Sequence, residues 1–170
     1  MVALNSKFDI LRGWPNSSAV QEDFVIGGDS THKHRQGEWV SLASTQDGSM
    51  KTADDLVTSA SDQVCYLIIE GLDDHSSKFA NRVTCLLGGG YMVRIPEVAP
   101  DAFGGGQEYR CFGDDGADPA VNFTAADFTV GQFAKVVNSK LVPSADRDGT
   151  EVGQVVAVNA NNGTIDLLVF

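Results

Sequence analysis

Cysteine, histidine, proline and basic residues are all scarce in this chain of 170 residues, and each scarcity removes a class of protein. The three cysteines, Cys65, Cys85 and Cys111, form an odd set with no Cys-x-x-Cys spacing, so they write neither a disulfide framework nor a zinc knuckle. Twelve basic residues against 23 acidic ones leave a formal charge of −11, a surface that repels phosphate and argues against direct nucleic-acid binding. The same charge keeps a densely arrayed protein soluble. The longest apolar runs, residues 64–69 and 167–170, fall far short of the roughly 20 residues of a membrane helix. The opening MVALNSKFDILRGW has no charged start, apolar core and small-residue cleavage site in series, so synthesis in the cytoplasm is expected.

What the chain does have is glycine, 18 of them, and many short runs rich in Val, Ile and Phe, a composition of turns and strands rather than long helices. Its clearest stretch is the last one, EVGQVVAVNANNGTIDLLVF. Two alternating apolar runs, 152–158 and 164–170, flank Asn159, Asn161, Asn162 and Gly163, residues that tolerate turn conformations, so the spacing predicts a β-hairpin. Alternation places Val152, Val156 and Val158 on one face of the first strand and Ile165, Leu167 and Val169 on one face of the second. Six such side chains contribute roughly 1.5–3 kcal/mol each when buried. Ordering the hairpin backbone costs roughly 1–2 kcal/mol per residue, so it must close a larger sheet.

Upstream, residues 21–26, 38–42, 64–70, 79–87 and 91–95 read as strands, with 88–90 as a tight turn or bulge. Residues 52–63 are polar, with one helical turn that Thr52 caps above Asp54 and Asp55. Residues 96–119 shift to Gly, Asp and Pro, a surface excursion interrupted by a short edge strand at 107–112. Phe123, Phe128 and Phe133 recur at a spacing that fits neither helix nor strand, so they pin separate segments. Residues 132–137 and 140–142 flank Asn138-Ser139 as another hairpin. The first 19 residues hold Leu4, Phe8, Ile10, Leu11 and Trp14 without a lasting period, and Gly13 and Pro15 stop any helix there. This is an extended arm, with enough apolar surface to lie on its own domain or on a neighbouring subunit. The expected fold is all-β: a compact barrel or sandwich of short antiparallel strands over 20–170, carrying an N-terminal arm over 1–19.

Catalytic and metal-binding motifs do not assemble. Gly28-Asp29-Ser30 with nearby His32 resembles a hydrolase nucleophile block, but no histidine follows His75 to serve as its late base. His32 and His34 share a face on a strand and would still need a third metal ligand. The acidic pairs Asp54-Asp55, Asp73-Asp74 and Asp114-Asp115 are turn chemistry, and the stretch from Asp114 to Asp118 lacks the glutamate that closes a calcium loop. Residues 88–90 and 104–106 complete no phosphate-binding motif. Cys65 and Cys85 sit in apolar runs, as buried small hydrophobes do. Trp14 and Trp39 suit a core edge or a subunit contact better than a sugar platform. No catalytic residue, metal ligand or cofactor is assigned, and the expectation is a binding or assembly protein rather than an enzyme.

The segment FTVGQFAKVVNSKLVPSADRDGTEVGQVVAVNANNGTIDLLVF resembles the carboxy-terminal part of head decoration (cement) proteins of tailed bacteriophages. There, a hairpin ending in a Lys-Leu-Val strand precedes a Val-Gly-x-Val-Val strand, an Asn-Gly turn and an apolar last strand. KFANRVTCLLGGGYMVRI, residues 78–95, is similar to phage structural proteins as well. The resemblance implies a virion protein on the outer capsid surface, commonly a homotrimer, that ties major capsid subunits together without touching DNA or membrane. Candidate capsid or subunit contacts are Leu4, Phe8, Ile10, Leu11, Trp14 and Trp39. The alternatives are another virion component, such as a tail-tube or head-fibre subunit, and a carbohydrate-binding β module.

Overall fold

The computed structural model describes residues 9–12, 20–26, 36–42, 52–54, 65–70, 82–87, 89–99, 109–113, 122–147 and 149–170. Within them the protein is mainly β, with thirteen strands, two single-turn 3-10 segments and no α-helix. The strands are β1 (Asp9–Arg12), β2 (Val20–Ile26), β3 (Trp39–Leu42), β4 (Thr52–Asp54), β5 (Cys65–Glu70), β6 (Arg82–Leu87) and β7 (Met92–Pro96). They continue as β8 (Val98–Ala99), β9 (Tyr109–Arg110), β10 (Phe133–Val137), β11 (Lys140–Ser144), β12 (Glu151–Asn159) and β13 (Thr164–Val169).

Two larger β structures result. A six-stranded sheet runs β1-β7-β13-β12-β10-β11, and a closed barrel runs β2-β4-β3-β5-β6, with β8 and β9 forming a short third pair. All pairings between strands are antiparallel except β2 with β4, which run parallel through Val25 opposite Thr52 and Ile26 opposite Ala53. The helical turn expected after Thr52 is therefore a strand: residues 52–54 pair with β2 on one side and β3 on the other. Closing the barrel satisfies backbone groups on both sides of this short segment, which a lone capped turn does not.

The C-terminal hairpin forms, and its second strand is central, paired with β12 and with β7. Ile165, Leu167 and Val169 are all buried, as the alternation predicts. On β12 the expected face is wrong at one residue. Val155 opposes Leu167 and Ala157 opposes Asp166, so Val156 is an extra residue in a β-bulge. The bulge switches the alternation, and Val155 (1% exposed) is the buried valine while Val156 is half-exposed. Val152 and Val158 still pack on the core from its margin.

The Asn138-Ser139 hairpin is a two-residue turn with both φ angles positive, +49° and +63°, the primed geometry whose twist matches that of the flanking strands. At the other hairpin, Asn159 Oδ1 accepts the Asn162 N–H at 3.2 Å and Gly163 takes φ +61°. Gly89 and Gly90 precede β7 of the sheet while β6 belongs to the barrel, and a Cβ at Gly89 would collide with the main chain of Phe170.

The two β structures share one core. Trp39, Leu67 and Leu86 from the barrel belong to the same buried cluster as Val93, Ile95, Val155, Ile165 and Leu167 from the sheet. Phe112 and Phe128 fill it with tilted rings 4.9 Å apart. Phe133 lies elsewhere, its ring 6.1 Å from that of Phe170, whereas Phe123 packs from the margin on the same cluster as Phe128, so of the three regularly spaced phenylalanines Phe133 is the one set apart.

Candidate functional site

Two places among the described residues gather polar or ionic chemistry. The first is the seam where β3 and the approach to it cross β9 and the β10–β11 turn. Gly37, at φ +87°, packs so tightly on Cys111 Sγ that any side chain would collide with it. Next to it Glu38 and Trp39 are each only 1% exposed. Trp39 N–H donates to Ser139 O at 3.0 Å, and the Tyr109 hydroxyl donates to the same oxygen, also at 3.0 Å. The primed turn thus aims one carbonyl at two separate elements, which fixes the hairpin against the barrel. Below it, Arg110 Nη2 donates to Glu97 Oε1 and to Phe123 O, each at 3.0 Å, while Glu97 N–H donates to Gly163 O at 2.7 Å.

Burial holds two side chains of this seam, Cys111 and Tyr109, in their protonated forms. Burial raises the Cys111 thiol to about 12, opposed by a backbone hydrogen bond from Ala99 and by the Lys140 charge, with Glu38 adding a smaller push upward. Burial, then the nearby Glu38 and Cys111, push the Tyr109 hydroxyl well above the usual tyrosine range. A nucleophilic cysteine needs a thiolate and a base or positive partner. Cys111 is a buried thiol whose burial outweighs the nearby Lys140 charge and disfavours the thiolate. Among the described residues no group of three His, Cys, Asp or Glu side chains can hold a metal. The seam works as a polar lock between sheet and barrel.

The second place is the outer face and margin of the six-stranded sheet. Arg94 on β7 makes a two-pronged ion pair with Asp166 on β13, Nε to Oδ1 at 2.8 Å and Nη2 to Oδ2 at 2.9 Å. Along the backbone register, Asp9 of β1 stands opposite Arg94 on the other side of β7 from Asp166. Farther along, the Arg147 guanidinium lies 5.6 Å from the Phe133 ring centre and 5.5 Å from that of Phe170. Among the described residues, Phe170 and Val130 are the exposed large apolar ones, at 47% and 61%. Sequence reasoning flagged neither Arg147, Phe170 nor Val130 as surface features, because single exposed apolar residues carry no pattern.

The proposed contact residues separate into three sets. Leu4, Phe8 and Trp14 lie outside the described residues. Ile10 and Leu11 are in β1, which adds to the sheet beside β7, with Ile10 opposite Val93 and Leu11 the extra residue where the register shifts. At these four residues the arm lies on its own chain. Trp39 is a correction: it is buried in the shared core and offers no surface to a partner. Its place opposite Leu67 in the barrel, in an apolar neighbourhood, explains the burial. The histidines, Ser30 and the paired aspartates at 73–74 and 114–115 lie outside the described residues. Of the two cysteines expected to be buried small hydrophobes, Cys85 is buried and outside any disulfide, and the side chain of Cys65 lies outside the described ones; Cys111 is buried as well.

This arrangement defines a mainly β protein with a polar internal seam and one margin formed by the N-terminal strand. Comparison of the chain with protein-family models, with curated proteins and with solved structures gives no match.

Proposed function

We propose that this protein is a virion structural protein that coats the outside of a tailed-phage capsid and strengthens contacts between major capsid subunits. The observation that carries this reading is the fold of the segment bearing the resemblance. Its four strands, β11-β10-β12-β13, form one continuous antiparallel unit whose inner face supplies Ala134, Val136, Leu141, Val155, Ile165, Leu167 and Val169 to the core. A body held by a single core and a polar lock suits a load-bearing part. The charge of −11 suits an exterior position better than one facing DNA. Synthesis is in the host cytoplasm, and the partners are the major capsid protein and further copies of the chain, as trimers by the resemblance. Contacts of roughly 800 Å² per partner are enough for specific binding, and repetition over a shell adds avidity. The carbohydrate-binding alternative lacks a platform in Trp39 and Tyr91, both buried, and in Tyr109, whose hydroxyl is spent on Ser139.

The test mixes purified protein with tailed-phage heads stripped of decoration, followed by sedimentation and imaging. Saturable binding at regular positions, with a raised temperature of head rupture, is the expected result. Removing residues 1–19 is expected to leave a folded β domain with lost or much weaker binding. Protein that stays in the supernatant at every concentration refutes the assignment, and undiminished binding by the truncated form refutes the role of the arm.

A further inference from the structure

The turn between β12 and β13 carries the one Asn-Gly pair in the sequence, Asn162-Gly163. Asn162 is exposed, and its side-chain amide makes no hydrogen bond among the described residues. Gly163 has no side chain to shield the peptide nitrogen between the two. That nitrogen is loosely held as well: Gly163 N–H donates to Ala160 O at 3.3 Å, longer than the usual bond of about 2.9–3.0 Å. The other asparagines of the two hairpins differ. Asn138 precedes Ser139, which is buried and whose carbonyl is held by Trp39 and Tyr109. Asn159 spends its side-chain oxygen on the Asn162 N–H at 3.2 Å, and Asn161 precedes a residue with a full side chain.

We propose that Asn162 is a site of spontaneous deamidation, and that the isoaspartate formed there unlocks the hairpin from Glu97. When the turn opens, the Gly163 amide nitrogen gives its proton to hydroxide and attacks Asn162 Cγ. The new N–Cγ bond forms, the Cγ–Nδ2 bond breaks, and ammonia leaves with a proton taken from water. One water then opens the five-membered succinimide at either carbonyl. Opening at Cγ gives aspartate; opening at the main-chain carbonyl of residue 162 gives isoaspartate, in which the main chain runs through Cγ and is one methylene longer. The net change is amide plus water to carboxylate plus ammonium, with no oxidation or reduction. The fold sets the consequence. On one side of the lengthened link Asn162 N–H is held by Asn159, and on the other Gly163 O accepts the Glu97 N–H at 2.7 Å. The same Glu97 accepts the Cys111 N–H at 2.9 Å on its main-chain oxygen and Arg110 Nη2 at 3.0 Å on its carboxylate. An extra methylene between two held points displaces one of them, so ageing of this turn loosens the seam that Glu97 gathers. The inference goes beyond the capsid reading and does not depend on it.

The test ages the full chain in mildly alkaline buffer and follows each asparagine by peptide mass mapping, with aspartate and isoaspartate peptides separated by chromatography. Asn162 is expected to convert first, largely to isoaspartate and faster as pH rises, while Asn138 and Asn159 stay amides. Asn159→Ala, which removes the side chain capping the turn, is expected to speed conversion of Asn162 about fivefold. Aged wild type is expected to melt below Asn162→Asp, which carries the new charge without the longer main chain. Asn162→Gln, whose side chain closes only a larger ring, is expected to keep its midpoint through the same treatment. An Asn162 that stays an amide as long as Asn138 does overturns the site. Conversion no faster in Asn159→Ala overturns control by turn opening, and aged protein that melts with Asn162→Asp overturns the unlocking.

Discussion

Val155 and Val156 are neighbours of one residue type on one strand, and the bulge in β12 assigns them opposite fates. Truncating Val155 to alanine removes two buried carbon groups, worth about 0.8 kcal/mol each in transfer from water. Leu167 opposite and the surrounding strands are held by their own backbone pairing and cannot collapse fully into the gap, so a cavity contribution adds to the loss. The expected destabilisation is about 2–3 kcal/mol for Val155→Ala. Val156 is half-exposed, and Val156→Ala is expected to cost less than about 1 kcal/mol. Equilibrium urea unfolding, monitored by the fluorescence of Trp14 and Trp39, measures both if the slope with urea is unchanged between variants. Strict alternation from Val152 predicts the reverse ranking. Equal losses at the two positions, or a larger one at Val156, would refute the bulge and the register built on it.

Other perturbations have equally definite outcomes. Gly89→Ala forces a Cβ into the Phe170 main chain and is expected to cost about 1–3 kcal/mol, with the loss largely recovered when Phe170 is also deleted. The Cys111 thiol releases its proton near 9 when unfolded and near 12 in the fold, so between those values the folded chain holds more protons. Its contribution is therefore complete below about pH 9 and declines as pH rises toward about 12, by up to about 1.4 kcal/mol per unit. Tyr109 acts in the same direction at higher pH. Urea midpoints of wild type and Cys111→Ala across pH 8 to about 11 check the sign: the variant should show the shallower decline. Cys85 and Cys111 should also resist thiol reagents in native buffer and react only as the chain unfolds, at rates that follow added urea.

Much of the architecture could be read from local chemistry. The runs from Val20 to Leu87 gave most barrel strands to within a few residues, since short β-branched and aromatic stretches bounded by Gly and Asp have little else to form. The Asn138-Ser139 and Asn159–Gly163 turns were legible for the same reason: few residues tolerate the backbone angles that a tight hairpin needs. Thr52–Asp54 was misread because its local preference is weak, and pairing with β2 and β3, distant in sequence, decided its state. The candidate contacts were less legible. An apolar arm announces that it touches something without saying what, and a tryptophan serves a core as readily as an interface, which is why Trp39 is buried where a contact residue is expected.

By itself, the sequence determined the class of fold, the positions of the tight turns and the acidic character, because each follows from side-chain volume, backbone tolerance or charge acting within a few residues. Tertiary structure alone decided that β6 and β7 belong to different sheets, that Val156 is an extra residue in β12, and that β1 pairs with β7 at one margin of the six-stranded sheet. Those outcomes depend on which backbone groups find partners across large sequence separations. No single segment carries that information, since a strand presents the same hydrogen-bonding groups to every neighbour and only the whole arrangement selects one.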